Sequence, residues 1–317
     1  MGVQFTLLLR PIIGWQGARV FVLALGTHGG APSNFVGDVQ GVSNLEAPPP
    51  AAVRLEEAWL QQNLLDNRLS WLVGRYDLNT EFYRLQSGAL FINSSFGIGP
   101  EFSHSGLAGP SIFPNTAVGT RLDFKPASNV VLRAAVVDGP LLVGEVALLA
   151  RPDTVGMPRQ RRFGIGRGAA RHYARKLALG AWYYTARTGS GGVYLIGDVT
   201  VRRSLTAFAQ LGLGDGRANQ IAGYVGGGFT LIAPLPSRGQ DELGLAVAAA
   251  RNGSHYERAQ AAAGVPAAGE TTVELTYIAQ IGSWLSVQPD IQYVIHPGGT
   301  RAMCNATVLG LRVAISH

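Results

Sequence analysis

Residues 71–114 read WLVGRYDLNTEFYRLQSGALFINSSFGIGPEFSHSGLAGPSIFP, a strand-like opening that runs into a long loop rich in Gly, Ser and Asn. The loop carries Asp77, Glu81, Asn93 and Glu101. A polar loop of this length is uncommon in a compact soluble domain, where most connections are short. It suits the lining of a pore better than the packing of a core. Residues 77–116 are therefore expected to form an inward-folded constriction loop.

The same stretch, with GRYDLNTEF, ALFINSSFGIGPEFS and GPSIFP, resembles the carbohydrate-selective porin family (OprB type). Upstream, the resemblance includes GWQG (14–17), GDVQGVSNLEA (37–47) and LEEAWLQQNLLDNRLS (55–70). Downstream it continues through VLRAAVVDG (131–139), LALGAWYYT (177–185), DIQYVIHPGG (290–299) and VLGLRVAIS (308–316). It covers nearly the whole chain and implies a sixteen-stranded barrel in the bacterial outer membrane that passes sugars down their gradient.

Composition alone reaches part of this. The chain has 317 residues, 42 glycines and only 15% charged residues, which favours β architecture over helix bundles. It contains no apolar run long enough for a membrane-spanning helix, so a membrane reading has to be a barrel. On composition, a soluble all-β protein stands level with it.

Alternation separates the two. In 285–295, Leu285, Val287, Ile291, Tyr293 and Ile295 are apolar, and Ser286, Gln288, Asp290 and Gln292 lie between them. One face suits lipid and the other water. Similar alternation occurs in 193–202, where Asp198, Thr200 and Arg202 oppose Val193, Leu195, Val199 and Val201, and again in 119–124 and 272–281. About fourteen such segments can be counted, an all-β antiparallel transmembrane barrel pattern.

Short links fall at 66–67, 125–129, 202–204, 233–239 and 282–283, and longer ones at 26–52, 77–116, 213–219, 251–269 and 296–303. Barrels of the outer membrane alternate short periplasmic turns with long outer loops, and this reading places both chain ends on the short-turn side. Two links break the rule: 138–143 is short for an outer loop, and 151–174 is long for an inner turn. The second concentrates positive charge and departs from the family pattern, so it reads as a tolerated insertion or, functionally, as a contact for lipopolysaccharide phosphates.

Met1–Arg10 lacks a basic n-region and a small-residue cleavage site, and holds only a short apolar patch from Phe5 to Leu9, so it does not read as a signal peptide. Beside a sixteen-stranded family, the strand count predicts an N-terminally truncated member. Family members tend to end on an aromatic residue, whereas this chain ends on His317. The single Cys304 allows no internal disulfide.

Catalysis finds little support. Gly164, Gly166 and Ala169 have a G-x-G-x-x-A spacing, but the basic residues before them form no apolar strand. Ser103, His104 and Ser105 lack an elbow motif and an orienting acid, and the six histidines show no helical zinc spacing. No enzyme activity, metal or cofactor is expected. A net charge of +6 without an aromatic-basic repeat is a poor footprint for nucleic acid.

The resemblance points instead to sugars as solutes, to outer-membrane lipid and lipopolysaccharide as surroundings, and to a possible homo-oligomer. Mixed charges can hydrogen-bond sugar hydroxyls without imposing a single-sign field, and an aromatic ring offers a flat surface to the sugar. On this reasoning Glu57, Trp59, Asp77, Glu81, Asn93, Glu101, Arg121, Asp123 and Arg133 are placed in or near the eyelet. Glu57, Trp59 and Gln61 share one strand face, and Arg121 and Asp123 share a face opposite Leu122 and Phe124. For each residue the alternative is plain lumen solvation or a salt bridge that ties the loop to the wall. Alternatives for the whole chain are a general small-solute porin and a barrel that conducts nothing.

Overall fold

A strand buried on one face by lipid and on the other by a polar interior must alternate, and every backbone group inside a membrane must find a partner in a neighbouring strand. The computed structural model meets both demands. It describes residues 2–8, 14–47, 51–107, 109–138, 141–150, 173–185, 189–202 and 204–315.

Among these, fifteen strands form one sheet in sequence order, every neighbouring pair antiparallel. They are β1 (Gly2–Leu8), β2 (Ala18–Thr27), β3 (Ala52–Leu64), β4 (Leu69–Tyr76), β5 (Ala117–Ala127), β6 (Val130–Val137), β7 (Leu141–Ala150) and β8 (Arg175–Tyr184). The series continues with β9 (Ser190–Arg202), β10 (Leu205–Gly214), β11 (Ile221–Ile232), β12 (Glu242–Asn252), β13 (Glu270–Gln280), β14 (Leu285–Ile295) and β15 (Ala306–Ile315). The count replaces the fourteen expected from the sequence. The apolar patch at Phe5 belongs to β1, which pairs in register with β2 from Gly2↔Leu25 to Leu8↔Arg19.

An odd number of antiparallel strands leaves β1 and β15 pointing the same way, so β1 runs from the long-loop end while β15 finishes at the short-turn end. The two chain ends therefore do not share the short-turn side, contrary to the sequence reading. No ladder joins β1 to β15 among the described residues. Of the 138–143 link, residues 141–143 belong to β7 and residues 139–140 lie outside the described residues; the junction of β6 and β7 falls at the long-loop end. The 151–174 link joins β7 to β8 at the short-turn end; its residues 151–172 lie outside the described residues.

Side-chain direction follows the alternation. On β14, Ser286, Gln288, Asp290 and Gln292 are buried toward the interior, and Ile291 and Tyr293 are exposed on the outer face. On β8 the outer face carries Leu177, Leu179 and Tyr183, and the inner face Lys176, Ala178 and Trp182.

The sheet curls around two loops. The β4–β5 loop packs Leu78, Phe82, Tyr83, Leu85, Leu90, Phe91, Phe96 and Phe102 against the inward faces of β6 to β12. Phe102 stacks on Trp182 at 4.4 Å and 17°, and Tyr83 meets Tyr194 at 4.3 Å. This loop was read as a polar lining, yet its wall-facing side is an aromatic core worth about 1.5–3 kcal/mol per fully buried side chain. The β2–β3 loop also enters the interior, where Gln40 and Asn44 reach Glu270 and Arg312 on the far wall. Contacts from the start of the sheet to its end require a strongly curved, barrel-like wall.

Candidate functional site: the lumen beside the inward loop

Directly opposite residues on adjacent antiparallel strands share a face, and their side chains stand within reach. The register therefore sets Ser70, Asp123, Arg133, Glu145, Gly180 and Tyr194 in one inward row across β4 to β9. Arg121 lies two residues before Asp123, on the same face.

From this wall, Arg121 takes both carboxylate oxygens of Glu81 on the loop, with Nε to Oε2 at 2.6 Å and Nη2 to Oε1 at 2.8 Å. Its Nη1 donates to the carbonyl and hydroxyl of Ser70. Arg133 donates to Asp123 at 2.8 Å and to the Glu81 carbonyl at 2.8 Å, and lies 3.5 Å from Glu145. Lys176 reaches Glu145 at 3.3 Å and the Arg84 carbonyl at 2.9 Å. Three cations thus meet three carboxylates. Glu81 is 25% and Arg133 14% accessible, against 2% for Arg121 and 1% for Glu145, so the first two face water and the others stand behind them.

Next to this cluster is an aromatic step. Phe21 and Trp59 are cross-strand partners and stack at 4.9 Å and 19°. The Arg19 guanidinium lies 5.9 Å from the Trp59 ring centroid, and Trp59 Nε1 donates to Glu57 at 2.9 Å. Gln61, on the same face, accepts from Arg121. The structure thus groups Glu57, Trp59, Glu81, Arg121, Asp123 and Arg133.

Of the other three expected residues, Asp77 adjoins Glu57 at the edge of this group, and Asn93 and Glu101 lie elsewhere. Asp77 caps the start of the loop, accepting from Asn79 N–H at 2.8 Å and from Phe113 N–H, and its burial pushes the carboxyl up to about 6. Asn93 sits against the opposite wall, donating to Gln292 and accepting from Ser95. Glu101 is fully buried beside β10, where Gly212 leaves the space its carboxylate fills. Tyr83 hydroxyl donates to one oxygen at 3.0 Å; the other has no partner among the described residues, and burial pushes this carboxyl up to about 7.

Sequence reasoning missed the fixing of the loops by wall carboxylates. Asp198 accepts from the Gln86 and Ser87 N–H groups, Glu274 from Ile92 and Asn93, Glu270 from Val39 and Gln40, and Glu145 from Tyr83. Such charge-assisted bonds are about twice as strong as neutral ones. Alternation had already marked Asp198 and its neighbours as inward polar positions. It could not say that their partners are loop main-chain groups. No cluster of three or more metal-ligating His, Cys, Asp or Glu side chains occurs among the described residues.

Comparison with known proteins places this architecture. The model of the carbohydrate-selective porin, OprB family matches residues 1–142 and 182–316. Porin B of Pseudomonas aeruginosa is 27% identical over 125 residues, 35% of this chain and 28% of that protein, so the match spans well under half of the relative. The high-pH structure of Pseudomonas putida OprB superposes with a TM-score of 0.83 at 18% identity, over 99% of this chain and 86% of that one. Its low-pH structure gives 0.60 at 15% identity, over 99% and 83%. A Rh. blastica porin mutant gives 0.54 at 8% identity, over 98% and 87%. At these identities the structural likenesses establish the fold, and the family model, matching most of the chain, establishes the lineage. The chain belongs to the carbohydrate-selective porin family, OprB type.

Proposed function

We propose that this chain forms a passive sugar pore of the bacterial outer membrane, with the inward β4–β5 loop narrowing the lumen against the wall of β3 to β6. One observation carries the reading: three cations and three carboxylates balance in one network beside an aromatic step. Arg121, Arg133 and Lys176 are balanced by Glu81, Asp123 and Glu145. A neutral, hydrogen-bond-rich rim offers donors and acceptors to hydroxyls without the single-sign field of an ion-selective ring. Trp59, with Phe21 packed on it, supplies a rigid ring surface next to that rim. No chemical step is involved; the pore lowers a diffusion barrier.

Planar-bilayer recording with glucose and maltodextrins as blockers tests this. Concentration-dependent, saturable block of the ion current supports a sugar site in the eyelet. Current that falls only with solution conductivity supports a general small-solute pore, and absence of current a plugged barrel.

A further inference from the structure

The Trp59 step has two unlike sides along the pore. Strand β3 runs from the long-loop end to the short-turn end, so Gln61 and the balanced pair of Arg121 and Glu81 lie on the short-turn side of Trp59. Glu57 lies on the other side, which a solute entering from the long-loop end meets first. A bulge adds a second acid there. Leu23 pairs with Glu57 and Ala24 with Leu55, which leaves Glu56 as the extra residue. Val53 and Leu55 are exposed on the outer face, whereas Glu56 and Glu57 are buried in succession. Asp77, at the start of the inward loop, adjoins both.

None of these three carboxylates forms an ion pair among the described residues. The cations around them donate elsewhere: Arg54 to the Pro114 carbonyl and Asn115, Arg75 to Thr116, and Arg84 to the Thr80 carbonyl. Glu57 accepts from Trp59 Nε1 at 2.9 Å. Glu56 is only 4% accessible, and its Oε1 has no hydrogen-bond partner among the described residues. A buried carboxylate oxygen calls for a donor or a cation, and the surrounding side chains supply neither.

Room for a ring lies beside the indole. The inward row through Trp59 reads Phe21, Trp59, Gly74, Gly119, Val137 across β2 to β6. Phe21 covers one face of Trp59. Toward β4 and β5 the row carries no side chain over two strands, roughly 10 Å at the ~4.8 Å strand spacing. A sugar ring resting in that gap has Glu57 two residues along the same strand face, roughly 7 Å away at ~3.4 Å per residue. A ring substituent spans much of that distance.

We infer that the eyelet prefers protonated amino sugars to neutral ones, the ring against Trp59 in the Gly74–Gly119 gap and the ammonium group turned to Glu57, in the field of Glu56 and Asp77. The inference rests on the sugar-pore reading above and names its solute class. Block of the ion current through the full chain in planar bilayers at pH 7 and low salt tests it, with glucosamine, glucose and N-acetylglucosamine as probes. Glucosamine should block the parent channel about tenfold more tightly than glucose, the scale of one hydrogen bond to a charged group. N-acetylglucosamine, which has the same ring without the charge, should lose that advantage. In Glu57→Gln the ratio of glucosamine block to glucose block should fall toward one, and Glu57→Asp should keep part of it. Equal block by glucosamine and N-acetylglucosamine in the parent overturns the inference without any variant, so the test survives a substitution that fails to fold. A ratio unchanged in Glu57→Gln overturns it as well. Glucose block with no advantage for glucosamine refutes this inference and leaves the sugar pore standing; current that none of the three sugars blocks refutes both.

Discussion

Arg121→Ala is the sharpest probe of the eyelet. The substitution removes the two bonds to Glu81, at 2.6 and 2.8 Å, and those to Ser70. Glu81 is 25% accessible, so the orphaned carboxylate can rehydrate, and the cost should stay at about 1–3 kcal/mol of loop anchoring rather than the larger penalty of a sealed charge. Arg133 still holds the Glu81 carbonyl, and Glu145 still holds Tyr83, so the loop should remain in the lumen. What changes is charge: the balanced cluster gains one uncompensated negative charge. At ~6 Å in water that is worth about 0.7 kcal/mol to a passing cation, roughly a threefold preference, and more between low-dielectric walls. Reversal potentials in a KCl gradient at low salt should therefore shift toward cation selectivity, and the shift should shrink in 1 M salt. Adding Glu81→Ala to Arg121→Ala should restore the parent value. An unchanged reversal potential in the single variant, with the barrel folded, would show that this pair does not face the conducting path.

Arg133→Ala is expected to shift selectivity in the same direction, because the more accessible Arg133 leaves Asp123 unpaired; reversal potentials check it. Trp59→Ala should weaken glucose block by about 1 kcal/mol, near fivefold, with a smaller change in open-channel conductance; equal block in both proteins would remove the Phe21–Trp59 step from the sugar path. Gly212→Val should cost about 1–3 kcal/mol, read as a lower unfolding temperature, since a Cβ there overlaps the buried Glu101 carboxylate; Gly239→Val, with open space around it, serves as the neutral control. Glu101 has its carboxyl raised from an ordinary 4.5 to about 7, so the folded state holds the proton more tightly and stability is lost as pH rises from about 4.5 through 7. Glu101→Gln should flatten that dependence and stabilise the protein at pH 8, as thermal melts at pH 5 and pH 8 would show.

The fold was legible because a wall with an apolar outer face and a polar inner face imposes a period of two on its strands. Ser286, Gln288, Asp290 and Gln292 declare the inner face of β14 without any knowledge of their partners. The strand count slipped by one at β1, where Val3, Phe5 and Leu7 alternate with Gln4 and Thr6 over only 7 residues and the stretch from Phe5 reads as a mostly apolar patch. Among candidate residues, those on strands share one inward face, because Arg121, Asp123 and Arg133 inherit their direction from the pleat. Residues in the loop could not be placed that way. Asn93 takes its position from a contact across the barrel on Gln292 and Glu101 from a glycine gap on the wall, and no local pattern encodes either, whereas Asp77 is set by the local cap it makes on Asn79.

The wall holds the loops largely by their main chain. Asp198, Glu274 and Glu270 each accept two successive loop N–H groups, and Lys176, Arg133, Gln288, Gln210 and Tyr224 donate to the loop carbonyls of Arg84, Glu81, Leu90, Phe96 and Ser95. Peptide groups are the same whatever side chain they carry, so these anchors specify where the loop runs and leave its pore-facing side chains free for solute contact. Changing Glu274 to Gln should therefore disturb the path of the loop, whereas changing a side chain such as Glu81 should alter selectivity with the path retained. Asp198, Glu274 and Glu270 hold the path of the loops, while the charges altered in the selectivity variants, Arg121 and Glu81, meet at another part of the wall.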